Sequence, residues 1–352
     1  MMMRPAFQRS CDLPPQLQPR KADSNGLGQG LLEPGGGRHE CCFPDALTQL
    51  LGHAGAIWNP KLMSHDIQAI DAVVNLWTAE ALAARPPRKN FYVDKMRVGQ
   101  DTFDGVSLES MIARMDAAGI ERSFLIAAKV GTLHHPACYH VPYKLVVDAV
   151  QKYPDRFCGL AGVDPTEGMD GVRELSKLVT EYGFIGAHTY PHWFELAPDH
   201  ARYYPFYAKC VELDVPIQLQ VGQSMVYDAR YPRRSVGRPI SLDSVACDFP
   251  ELKLIGIHVG IPWTDEMIAM AWKHANVYIG CDAHRPTYWP EAFVKYINTF
   301  GQDKVLFGTD FPVLDFERTR ADIEALNLRP EPKRKLLRDN ALRVYKLGGK
   351  AV

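Results

Sequence analysis

The sequence has almost no net charge: 40 Lys plus Arg stand against 41 Asp plus Glu in 352 residues. Bulk electrostatics therefore gives no pull toward nucleic acid or an anionic membrane, and neither is expected as a partner. It also lacks any CxxC. Its 8 cysteines are widely spaced apart from Cys41 and Cys42, which argues against a zinc knuckle or a disulfide scaffold and fits reduced thiols in a cytoplasmic protein. No run approaches the ~18 apolar residues of a membrane span, and MMMRPAFQRSCDLPPQLQPRK has no apolar core of the signal-peptide kind. No GxGxxG follows the first apolar run, which removes the main support for a dinucleotide-binding sheet.

Periodicity is missing from residues 1–65, which are rich in Pro and Gly and include GLGQGLLEPGGG. They are expected to be a disordered leader or a mis-assigned start, with Met63 as the alternative initiator. Residues 66–350 are expected to form one domain, because 46% apolar and 23% charged residues can build a sizeable core. There, short buried runs alternate with amphipathic segments: IQAIDAVV, SFLIAAK, FCGLAGVD, FIGAH, PIQLQVG, KLIGIHVG, NVYIGCD and KVLFGTD. The first helix follows the rule, with Ser107 as cap and Leu108, Met111, Ile112 and Met115 on one face. Strand–helix alternation of this length predicts an α/β fold, a parallel (β/α)8 TIM barrel. Trp77 to Gly105 is too irregular for an ordinary connection and reads as a loop or lid.

A parallel barrel builds its site at the carboxyl ends of its strands, and here those ends are polar. Asn75 and Trp77 close the first run and Lys129 the second, while His188, with Tyr190 and His192, follows the fourth. Gln218 and Gln220 share a face of the fifth. His258 ends the sixth, with Trp263 beyond; Asp282, His284 and Arg285 follow the seventh, and Asp310 the eighth. Inward polar groups need partners, so their convergence predicts a wet, concave pocket. Aromatics around it, including YPHWF, Trp263 and Tyr92, favour a flat acid as substrate.

The segments IDAVVNLW, PELKLIGIHVG, KVLFGTDFP and LLRDNALRVY resemble the amidohydrolase superfamily, in the branch of aminocarboxymuconate semialdehyde decarboxylase and the resorcylate decarboxylases. The resemblance runs from about Ile67 to Leu347 and implies a (β/α)8 barrel with a divalent metal, usually zinc, at its mouth. It sets the family's His-x-His at Val73 and Asn75, a further metal-binding His at Gln220, the proton-transferring His at His258 and the metal-binding Asp at Asp310. Val73 has no donor atom, and the amides of Asn75 and Gln220 are weak ones. The expectation is therefore no cofactor, or a weak divalent ion, with zinc through His258, Asp310 and His188 as the alternative.

On this reading His258, Asp310 and His188 are the catalytic candidates. Asn75, Trp77, Lys129, Tyr190, His192, Gln218, Gln220, Trp263, Asp282, His284 and Arg285 are the substrate-binding candidates, with Lys129 or Arg285 holding a carboxylate. Two reactions stay open: decarboxylation of an aromatic or unsaturated acid, and metal-independent hydrolysis of a lactone, ester or activated carbon–carbon bond. A non-catalytic ligand-binding barrel is the third class. The expected partner is a small carboxylic acid or lactone, a homodimer is compatible with the sequence, and YDARYPRRSVGRP is a lid or interface segment.

Overall fold

The apolar runs pair in the order in which they occur. The computed structural model describes residues 66–226 and 228–347; the expected leader lies outside the described residues. Its parallel strands are β1 Ala69–Asn75, β2 Ile120–Ala127, β3 Phe157–Gly162, β4 Gly186–Thr189, β5 Ile217–Gln220, β6 Leu254–Ile257, β7 Val277–Gly280 and β8 Val305–Leu306, each bonded to the next. All are buried along most of their length. Helices on one face and the barrel interior on the other leave no solvent side, which is why the strands read as continuous apolar runs.

Backbone bonds between β1 and the residues just after β8 close the ring: Ala72 N donates to Phe307 O at 2.9 Å, Asp310 N to Val73 O at 2.8 Å and Asn75 N to Phe311 O at 3.0 Å. The Asp71 carboxylate staples the same seam, accepting from Val73 N at 3.1 Å, Thr309 N at 3.0 Å and Thr309 Oγ1 at 2.6 Å.

A helix follows each strand, beginning with Leu108–Ala117, whose N-cap Ser107 Oγ accepts from Ser110 N at 3.1 Å. After the last strand–helix unit the chain forms Pro330–Arg334, a π-helical turn Lys335–Asp339 and Asn340–Val344. Tyr345, just beyond, is buried and reaches the barrel interior with its hydroxyl. KLIGIHVG and KVLFGTD run on as strands only to Ile257 and Leu306, because the chain then bends inward. The long first connection holds short helical turns at Ala79–Ala83, Asn90–Lys95 and Gln100–Phe103. Among the described residues no helix is long and apolar enough to cross a membrane.

Candidate active site

Beyond β6, β7 and β8 the backbone turns left-handed, at His258 (φ 70°), Val259 (φ 58°), Ala283 (φ 62°) and Asp310 (φ 53°). Each such non-glycine residue costs on the order of 1 kcal/mol. The three strands meet that cost where the chain brings His258, Asp282 and Asp310 together. His258 Nε2 lies 3.3 Å from Asp282 Oδ2 and 3.8 Å from Asp310 Oδ2, and Gln220 Nε2 stands 3.5 Å from the same nitrogen.

Second contacts hold each group. Asp282 Oδ1 accepts from His258 N at 2.9 Å, while the buried Oδ2 has no hydrogen-bond partner. Asp310 Oδ1 accepts from Asn75 Nδ2 at 2.8 Å. Behind Asn75 is the buried Arg85, whose Nη2 donates to Asn75 Oδ1 at 3.4 Å and whose Nη1 donates to Tyr139 OH at 3.1 Å. Its guanidinium lies 4.8 Å over the Trp77 ring.

Burial penalises every charged form here. It pushes the Asp282 carboxyl up to about 7. Burial first, then the charge of Asp282, holds Asp310 well above the ordinary carboxylate range. The His258 imidazole is held well below its ordinary value by burial and then by His284, His188 and His192. His188 and His284 are each lowered by burial to about 4.

Asn75, Tyr190, Gln220, His258, His284 and Asp310 line one cleft, open at its mouth. Inside the barrel, His188 Nδ1 donates to Gln218 Oε1 at 2.9 Å, and Gln218 Nε2 donates to Ala72 O at 2.7 Å and to Tyr345 OH at 2.6 Å. That pattern leaves the lone pair on His188 Nε2, which has no partner; the ring lies 4.4 Å from that of Tyr190.

The remaining candidates stand elsewhere. Trp77 packs under Arg85, His192 bonds Val236 N at 3.1 Å, and Trp263 lies 5.3 Å beneath Arg238. Neither expected carboxylate holder is free. Lys129 Nζ is bound by Glu167 and Glu174, both at 2.6 Å, and Arg285 makes two 2.8 Å bonds to Asp322.

The cation that does line the cleft is Arg88, the one Lys or Arg among its described lining residues. It was missed because it comes from the long first connection. The signal available was two arginines, Arg85 and Arg88, flanking Pro86-Pro87 in a segment too long to be only a link.

The amidohydrolase family model matches residues 70–347. The chain belongs to this family. A gamma-resorcylate decarboxylase from Rhizobium sp. is 23% identical over 296 residues, 68% of this chain and 88% of the relative. Among solved structures, an uncharacterized TIM-barrel protein from Bordetella bronchiseptica superposes with a TM-score of 0.65 at 23% identity, covering 79% of this chain and 98% of that one. The 5-carboxyvanillate decarboxylase of Novosphingobium aromaticivorans, complexed with manganese and 4-hydroxy-3-methoxy-5-nitrobenzoic acid, gives 0.62 at 20% identity over 80% of this chain and 96% of that one. Distant homology to aromatic-acid decarboxylases is thereby established.

These findings correct the expectation of no cofactor. The solved decarboxylase holds manganese, and His258, Asp282 and Asp310 offer ligand atoms within 4.8 Å of one another. The donor set fits. The 3.3 Å between His258 Nε2 and Asp282 Oδ2 is close to the roughly 3 Å that metal–ligand bonds of about 2.1 Å at right angles produce, and the unpartnered Asp282 Oδ2 needs a cation or a proton beside it. The expectation counted Asp282 only as a substrate contact, whereas its place beneath His258 makes its carboxylate available as a third donor.

Proposed function

We propose that this protein is a decarboxylase of an aromatic carboxylic acid bearing a hydroxyl group. The observation that carries the reading is the convergence of His258, Asp282 and Asp310 in a cleft lined by Phe91, Tyr92, Tyr139, Tyr190 and Trp193, with Arg88 as its cation. Those rings suit a flat substrate, and Arg88 suits its carboxylate. The Arg88 guanidinium is itself braced, 4.4 Å over the Trp193 ring and bonded to Ala137 O at 2.5 Å.

Loss of carbon dioxide breaks the ring–carboxyl bond and leaves its electron pair on the ring carbon, which must then take a proton. Asp310 carries that proton in this reading. Burial and the neighbouring Asp282 favour its protonated form, and Asn75 holds one of its oxygens in place. His258 is its partner across 3.8 Å. A divalent ion would be held by His258 and the Asp282 carboxylate, with Asp310 beside them through its unprotonated oxygen; bound there, it would supply positive charge to the substrate's oxygens.

The test is a screen of hydroxybenzoic acids with manganese- or zinc-loaded protein, following carbon dioxide release. Release from at least one such acid, lost in Asp310→Asn, is the expected result; release that survives this substitution overturns the assignment.

A further inference from the structure

Beside the cleft is a second groove. Met96, Met225, Ala283, His284 and Val313 line both, so the two cavities adjoin across a mostly apolar neck. Past the neck the lining carries Lys95, Arg97, Arg285 and Arg318 against a single carboxylate, Asp315.

Several of these groups are already engaged. Lys95 Nζ donates to Met225 O at 2.7 Å, and Arg285 is paired with Asp322. Asp315 caps the helix Phe316–Ala325, accepting from Arg318 N at 2.9 Å. The side chains of Arg97 and Arg318 are exposed and have no hydrogen-bond or ion-pair partner among the described residues. Two unpaired guanidiniums thus share one concavity with no carboxylate left to answer them. Their groove is built from the long first connection, which supplies Arg97, the segments after β7 and β8, and the start of the helix Phe316–Ala325, which supplies Arg318; the ends of β7 and β8 are where a parallel barrel gathers positive potential.

We infer that this groove is a subsite for a second anionic group of the substrate, a carboxylate or phosphate at the end remote from the reacting carboxyl. The inference rests on the reading of the main cleft as an aromatic-acid site. Guanidinium forks match the oxygens of either anion, and the neck suits the apolar segment that joins the two ends. The substrate class is then an aromatic acid with an anionic side arm.

The test compares 5-alkylsalicylates with chains of matched length ending in carboxylate, phosphonate or methyl, binding to the manganese-loaded protein and to the double variant R97Q/R318Q. Binding is read by calorimetry, so it does not depend on turnover. At one chain length or more, an anionic ligand should bind wild type about 10-fold or more tighter than its methyl-ended match. The double variant should lose that preference while binding the methyl-ended ligand unchanged. Carboxylate or phosphonate as the better terminus identifies the arm. Absence of a preference at every length, or a preference that survives in the double variant, overturns the inference. Should no salicylate bind either protein, the aromatic-acid reading fails, and inorganic phosphate decides the groove: binding lost in the double variant keeps an anion site, and no binding to wild type removes it.

Discussion

Asp282 is a buried carboxylate with one oxygen bonded to a backbone N–H and the other facing His258 Nε2 at 3.3 Å with no hydrogen bond. Such a group is stable only if a proton or a cation sits beside it. Asp282→Asn removes the charge and puts an N–H₂ or a neutral oxygen at that point. Manganese affinity, measured by equilibrium dialysis with elemental analysis, should fall at least about 10-fold, whereas an Asp282 with no part in metal binding would leave it unchanged. Asp310 and His258 should separate from Arg88 by kinetics. Asp310→Asn or His258→Gln should lower kcat by about 10² to 10⁴, the usual contribution of a positioned acid or base. Arg88→Met should mainly raise KM for a carboxylate substrate, because its guanidinium binds and does not move a proton. A loss of kcat in Arg88→Met as large as in Asp310→Asn would contradict this division.

The connection between β5 and the helix Leu242–Asp248 is the element most open to acid. Val236 N donates to His192 Nδ1 at 3.1 Å, and Gly222 N donates to Gly237 O at 2.7 Å. A Cβ at Gly237 would stand 2.7 Å from His192 Cε1, so only glycine lets the ring lie against the backbone there. His192 Nδ1 can accept only while the ring is neutral. Burial lowers its pKa from 6.5 to about 4, so the stabilisation it gives is complete above about 6.5 and is lost as pH falls toward 4. The full shift is worth about 3 kcal/mol. Acidification from pH 7 to 4.5 should therefore lower the protection factors of Val236 and its neighbours in wild type, exchange being compared with the intrinsic amide rate at each pH, and His192→Gln should flatten that dependence. A profile unchanged by the substitution would show that other groups control the segment. The sequence reads this stretch as a lid or interface segment and places His192 among the substrate contacts. Its role as a latch depends on a backbone N–H from a distant segment, which no local pattern reveals.

At the level of the whole barrel, the strands were legible because burial on both faces writes each of them as an uninterrupted apolar run, and the mouth was legible because those runs end in His, Asp and Gln. What could not be read was pairing among charges. Lys129 looked like a free cation at a strand end, but Glu167 and Glu174 arrive from the next strand–helix unit to neutralise it. Arg88 entered the cleft from the irregular first connection, and Asp282 came beside His258 only through the left-handed turns after the strands. Closure of the ring was likewise implied by the strand count without showing what fastens its ends. The seam between β1 and β8 depends on Asp71, which receives Val73 N, Thr309 N and Thr309 Oγ1. Asp71→Ala would leave two buried N–H groups and a hydroxyl without acceptors, a loss of about 3 to 5 kcal/mol in urea unfolding. Asp71→Asn should cost only about 1 kcal/mol. Its oxygen still accepts from both backbone donors, and its N–H₂ can donate to Thr309 Oγ1, which has a second lone pair beside the one taken by Phe311 N at 3.1 Å. Equal losses in the two variants would mean that the negative charge itself, and not the bonding pattern, holds the barrel closed.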